Sequence, residues 1–295
     1  MASPNGYRLL AYAAACCAVI VVAAPVACFG QARGAADEAL ELVDPDVLRV
    51  CADPSNLPFS NEKGEGFENK LAALFAEKLG KKLAYTFYPQ ATGFVRMTLG
   101  SHRCDVIMGY PQGDEMVQST NPYYQTAYAL VTKRGSPLES VEALGDPRLQ
   151  DKRIGVVAGT PPATYLVAHG LMARAKSYPL VVDTRVESSA VSMMKDLEAG
   201  EIDAGVLWGP IAGYRALHAE PPMHVALLLK DRGGPHLVYR ITMGVRPSDQ
   251  NWKRQLNKLI AENQPAIDKL LIDFGVPLLD ANGQPRAGDP SAPKP

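Results

Sequence analysis

Between residues 47 and 278 short apolar runs alternate with stretches of helical periodicity, and the first such pair sets the frame for the rest. Val47, Leu48, Val50 and Cys51 form an apolar run bounded by Asp46 and Asp53, which predicts a strand buried on both faces. Phe67, Leu71, Leu74, Phe75 and Leu79 then recur at helical spacing as one apolar stripe, with Glu68, Asn69, Glu77 and Lys78 off it. Gly80 is placed to close that helix in the left-handed conformation. The intervening ADPSNLPFSNEKGEG lies where an open α/β sheet puts its ligand crevice, beyond the carboxyl end of a parallel strand. It is longer than an ordinary connection of about 2–6 residues. Pro54 and Pro58 stiffen it while Asp53, Ser55, Asn56 and Ser60 keep polar groups free, so it is read as a binding loop rather than a plain turn.

The alternation continues along the chain. Lys82 to Phe87 has period two, Thr92 to Leu99 reads as a short helix, and CDVIMGYP is an apolar strand ending at Gly109 and Pro111. Three such units predict a mostly parallel sheet with covering helices. Tyr124 to Thr132 breaks the rhythm as a long β-rich run without a neighbouring helix, a crossover into a second lobe. There the pattern resumes: strand RIGVVAG, a helix opened by Thr160 and Pro161 and closed by Gly170, strand LVVD, a helix from Ser188 or Ser189 to Gly200, and strand IDAGVLW. A second β-rich run, HLVYRITMGVRP, returns the chain. Ser248 to Gly275 is expected to be helical in two pieces broken at Pro265. Beyond Leu279 the Pro/Gly/Ala-rich end predicts disorder over 279–295.

A length of 295 residues suits two cores, here a discontinuous first lobe over 47–132 and 242–278 and a second over 133–241. The formal charge of −1 gives no field that would draw nucleic acid or an anionic membrane. Arg8 followed by the uncharged run LLAYAAACCAVIVVAAPVA and then small residues has the layout of a secretory signal over 1–36, which predicts export to the periplasm. Its removal would leave Cys51 and Cys104, which in an oxidising compartment are either a disulfide or two buried thiols.

Candidate chemistry adds little. His102, His169, His218, His224 and His236 have no metal-ligand spacing, and the mature cysteines are not in a CxxC pair. The glycines of VVAGTPPAT match neither phosphate-loop pattern, and adjacent Asp114 and Glu115 read as a solvated turn. No cofactor, metal or catalytic constellation is implied.

Two α/β lobes joined by two β crossovers, with a cleft between them, resemble the type II periplasmic solute-binding fold. LRVCADPSNLPFSN, GEGFENKLAALFAEKLG, GFVRMTLGSHRCDVIMGYP, NPYYQTAYALVTKRG and DLEAGEIDAGVLWGP together resemble a narrower group, the MxaJ and XoxJ binding proteins encoded beside PQQ-dependent methanol dehydrogenases. The DPSNLPFSN loop is closer to the XoxJ branch, which accompanies lanthanide-dependent enzymes. Amino-acid-binding relatives clamp the ligand carboxylate with an Arg shortly after the CDVIMG-like strand, where this chain has Met116, and hold the amine with an Asp where it has Trp208. Thr160 is the clamp element that remains, followed by two prolines that lack amide donors.

An amino acid in such a cleft would be desolvated without partners, at several kcal/mol per ion. The expectation is therefore an apolar, aromatic cleft lacking ion-pairing groups, formed by Phe59, Tyr110, Pro111, Met116 and Trp208 with Asp53, Asn56 and Thr160. The resemblance implies a non-enzymatic accessory protein that binds the dehydrogenase. The rivals are an importer's receptor for a small apolar or alcohol-derived ligand, and a cyclohexadienyl-dehydratase-like enzyme using Asp53.

Overall fold

The computed structural model describes residues 41–286; the expected signal segment and the last nine residues lie outside them. Strand β1 (Val47–Ala52) is the centre of the first lobe, with β4 (Lys82–Phe87) parallel on one side and β5 (Val106–Pro111) parallel on the other. Between β1 and helix α1 (Phe67–Leu79) the long loop folds into a miniature hairpin, β2 (Ser55–Asn56) against β3 (Ser60–Asn61). Short helix α2 (Phe94–Met97) precedes β5, and β6 (Gln118–Ser119) follows it.

The two β-rich runs cross between lobes as predicted. The first half of β7 (Tyr124–Lys133) pairs with β12 (Val238–Val245), from Tyr124 opposite Ile241 to Ala127 opposite Val238. Its second half pairs with β10 (Ala204–Trp208) and β11 (Met223–Leu227) in the second lobe. There β8 (Ile154–Val157) runs parallel to β10 and to β9 (Lys176–Tyr178). Helix α3 (Pro161–Ala168) covers one face, while α4 (Ser189–Ala199) and α5 (Gly209–Leu217) cover the other.

Apolar periodicity explains why these elements close. Phe67, Leu71 and Phe75 of α1 are fully buried against β1, β5 and the last helix, α6 (Gln250–Asp273). Each contributes about 2–3 kcal/mol of burial. Gly80 has φ 65° and ends α1 as its sequence position requires. Cys51 and Cys104 are bridged, with Cα atoms 5.4 Å apart, which decides between the two states open to them.

Four expectations are corrected. Pro265 does not split α6, which is continuous; the proline is exposed, so water can reach the carbonyl it leaves unpaired, while Trp252, Leu256, Ile267 and Leu271 on both sides of it enter one core. Glu68 and Asn69 are buried although off the apolar stripe, because the Asn69 side chain accepts from the Asn61 and Gly66 amides and Glu68 lies over Gly109. The apolar run 180–183 is not a strand; β9 falls earlier, and Leu180 to Asp183 form a loop. Residues 279–286 are ordered: Leu279 is buried and donates its amide to the Gln125 carbonyl, and Arg286 pairs with Asp268 at 2.7 Å.

Candidate functional site

A cavity of about 930 Å³ lies between the lobes, at the carboxyl ends of β5, β8 and β10 and beside the two crossover strands. Its aromatic wall is Trp208, half-buried, meeting Tyr128 edge-on at 5.1 Å and Tyr239 at 5.6 Å. Tyr128 and Tyr239 arrive from the crossovers and Trp208 from the end of β10, so the cluster depends on both lobes. Burial pushes the Tyr128 hydroxyl up to about 12, which keeps it a neutral donor across the physiological range.

The rim on the first lobe is the hairpin loop. Asn56 lines the cavity and donates to Gln90 Oε1 at 3.0 Å. Asp53 is buried just behind it and accepts from the Ser55 amide at 2.8 Å and the Gln90 amide at 2.6 Å. It also accepts from the Thr184 hydroxyl of the second lobe, at 2.9 Å and 3.2 Å to its two oxygens. A carboxylate so occupied serves to position the rim.

The facing rim is the loop that the apolar run 180–183 forms in place of a strand. Leu180, Val181 and Val186 line the cavity and stay 56%, 63% and 85% exposed, a hydrophobic edge left uncovered among the described residues. Thr160 also lines the cavity, but its hydroxyl donates to the Val157 carbonyl at 2.6 Å and does not cap α3. With Pro161 and Pro162 following, that helix end presents few donors.

Of the eight candidate residues, Asn56, Pro111, Thr160 and Trp208 line the cavity, and Asp53 braces its rim. Three lie elsewhere. Phe59 turns into the first lobe against Phe67, with ring centroids 5.4 Å apart. Tyr110 packs beside the disulfide, and burial, with Asp114 nearby, raises its hydroxyl to about 12. Met116 is exposed on a turn, its amide bonded to Asp114 at 2.9 Å.

The expectation of a cleft without ionic groups is also corrected. Arg185, Glu187 and Arg215 line the cavity. Arg185 is held by Asp183 at 2.7 Å, whereas the Arg215 side chain has no ion pair or hydrogen bond among the described residues, and its Nε is buried without a partner. Arg215 escaped the sequence reading because it is inside α5, one turn after Ile211 on the same face, and away from the loops that the strand ends put at the crevice. The aromatic pair Tyr128 and Tyr239 was hidden inside the crossover strands. Among the described residues no three His, Cys, Asp or Glu side chains gather to hold a metal, and no helix is long and apolar enough to cross a membrane.

Comparison with known proteins agrees with this architecture. Residues 48–270 match the model for bacterial extracellular solute-binding proteins, family 3. The chain is 29% identical over 303 aligned positions to protein MoxJ of Methylorubrum extorquens, covering 95% of this chain and 99% of that one. It superposes on the crystal structure of the periplasmic binding protein XoxJ from Methylobacterium extorquens AM1 with a TM-score of 0.68 and 40% identity, covering 79% of this chain and 99% of that chain. MxaJ from Methlophaga aminisulfidivorans MPT gives a TM-score of 0.67 at 25% identity, covering 79% and 100%. The two-lobed sheet with its crossover strands, the cleft between the lobes and the match over most of the folded chain make this protein a member of the family 3 bacterial extracellular solute-binding proteins, similar to MoxJ, XoxJ and MxaJ.

Proposed function

We propose that this is a non-enzymatic periplasmic accessory protein that binds a PQQ-dependent methanol dehydrogenase, of the lanthanide type, and assists its maturation or activation. The observation that carries the proposal is the 40% identity to XoxJ over 99% of that chain, and the resemblance to that group implies the dehydrogenase as partner. The exposed edge of Leu180, Val181 and Val186 supports it, because an uncovered apolar rim beside a cleft suits burial against a protein partner. Asp53, the one acid with a catalytic reading, already accepts from Ser55, Gln90 and Thr184, which suits a bracing role at the rim.

The test is capture of purified apo- and holo-dehydrogenase by the immobilised protein. Wild type is expected to retain the dehydrogenase, and the double variant Val181→Glu with Val186→Glu to lose at least tenfold in affinity. Failure of the wild type to retain either form would end the proposal. A second reading, an importer's receptor, is favoured by one observation: the cavity of about 930 Å³ is in the size range of small-ligand pockets. Saturable small-molecule binding without dehydrogenase capture would select it.

A further inference from the structure

Arg215 is the one cavity feature that neither the fold nor the accessory role accounts for. It is half-buried on α5 and its guanidinium makes no hydrogen bond or ion pair among the described residues. Nε is fully enclosed without an acceptor. Tyr214, 5.8 Å away beneath the guanidinium, supplies the one compensating contact, a cation–π approach. Burial pulls its proton affinity down from the ordinary value, with Tyr214 acting in the opposite direction. The group still carries its full charge at neutral pH, because guanidinium pKa values lie far above that range. Leaving such a donor unpaired costs about 1–3 kcal/mol or more. The other charged groups lining the cavity do not relieve it. Arg185 is bound to Asp183, and Glu187 is exposed to water. Asp53, behind the rim, is engaged by Thr184.

Its surroundings define what would complete it. Trp208, Ile211 and Arg215 are at i, i+3 and i+7, on one face from the start of α5, and all three line the cavity. Seven residues of helix span about 10 Å. The cavity thus presents an aromatic wall of Trp208, Tyr128 and Tyr239 and, from the same helix face, a guanidinium whose Nε has no acceptor.

We propose that the cleft binds a free aromatic carboxylate about two rings long, its carboxylate on Arg215 and its ring system against Trp208, Tyr128 and Tyr239. The proposal rests on the cleft being the binding site of the accessory protein, and it names the ligand chemistry of that site. The ligand differs from an amino acid in needing no partner for an ammonium group.

The experiment is titration calorimetry of the full mature chain with biphenyl-4-carboxylate and with its uncharged isostere, biphenyl-4-carboxamide. Wild type is expected to bind the carboxylate at least tenfold more tightly, roughly the value of one charge-assisted hydrogen bond. In Arg215→Met, which keeps the apolar stem and removes the charge, that preference should vanish while the carboxamide affinity holds and the melting temperature does not fall. Equal wild-type affinities for the two probes, no binding of the carboxylate, or a preference that survives in Arg215→Met would each overturn the proposal. The wild-type comparison needs no variant, so a folding defect in Arg215→Met would not shield it. Capture of the dehydrogenase by wild type is scored separately, so the accessory reading and this one fail on different measurements.

Discussion

The Asp53 carboxylate of the first lobe accepts the Thr184 hydroxyl of the second, at 2.9 Å, across the mouth of the cleft. The bond joins residues 131 apart in the chain and ties the long hairpin loop to the apolar rim loop. It is a latch between lobes that are also joined by the crossover strands and by the contact of α5 with Gly275.

Thr184→Val removes the hydroxyl and keeps the shape, so it should free the rim with little loss of stability. Hydrogen exchange of residues 180–187 is expected to accelerate, and the melting temperature to change by only a few degrees, the scale of about 1 kcal/mol. Unaltered exchange in that loop would show that the latch does not restrain it. Asp53→Ala should cost more, about 1–3 kcal/mol, because it also strands the Ser55 and Gln90 amides.

Glu68 predicts a pH dependence. Burial, with the Asp53 carboxylate adding to it, raises its pKa from the ordinary value of 4.5 to about 8. The folded protein therefore keeps a proton that the unfolded chain has released. Stability falls as pH rises above about 4.5, by at most ~1.4 kcal/mol per unit, and levels off near 8. Glu68→Gln should flatten that slope between pH 5 and 8 in chemical denaturation, and a slope unchanged by the substitution would assign the pH dependence to other groups.

The disulfide closes a sequence separation of 53 residues and joins β1 to the segment leading into β5. Its loss should destabilise by about 4 kcal/mol on the chain-entropy estimate. Reduction, or the Cys51→Ala with Cys104→Ala pair, is expected to lower the denaturation midpoint while the fold persists. A midpoint insensitive to reductant would contradict this.

Gly213→Ala should destabilise, although alanine is the better helix former by about 1 kcal/mol. A Cβ there would meet the Gly275 carbonyl oxygen at 1.8 Å, where α5 crosses the end of α6. A thermal melt settles the sign: a raised midpoint would mean that the two segments separate without cost.

Much of the architecture was legible because it is local. The α1 stripe, Gly80 at its end and the strands bounded by turn residues follow from side-chain periodicity and backbone preference, which a sequence carries openly. Where prediction failed, contacts distant in sequence had overridden local pattern. Pro265 stays inside a helix because both halves share a core, and Leu180–Val182 lines a cleft because β9 had already filled the sheet position beside β8.

The candidate site shows the same division. Trp208, an aromatic residue at the end of an apolar strand, was foreseeable in the crevice, and it does line the cavity. Phe59 and Tyr110, equally aromatic and equally near the crevice in sequence, turn into the first lobe, because side-chain direction depends on what packs behind each loop. Sequence alone determined the alternating elements and the two crossovers, since these are set by residue identity and spacing. Only the tertiary structure decided that the cysteines bridge, that Asp53 latches onto Thr184, and that Arg215 stands unpaired in the cavity wall. Each of those depends on the distance between atoms far apart in the chain, which is fixed when the lobes pack and nowhere earlier.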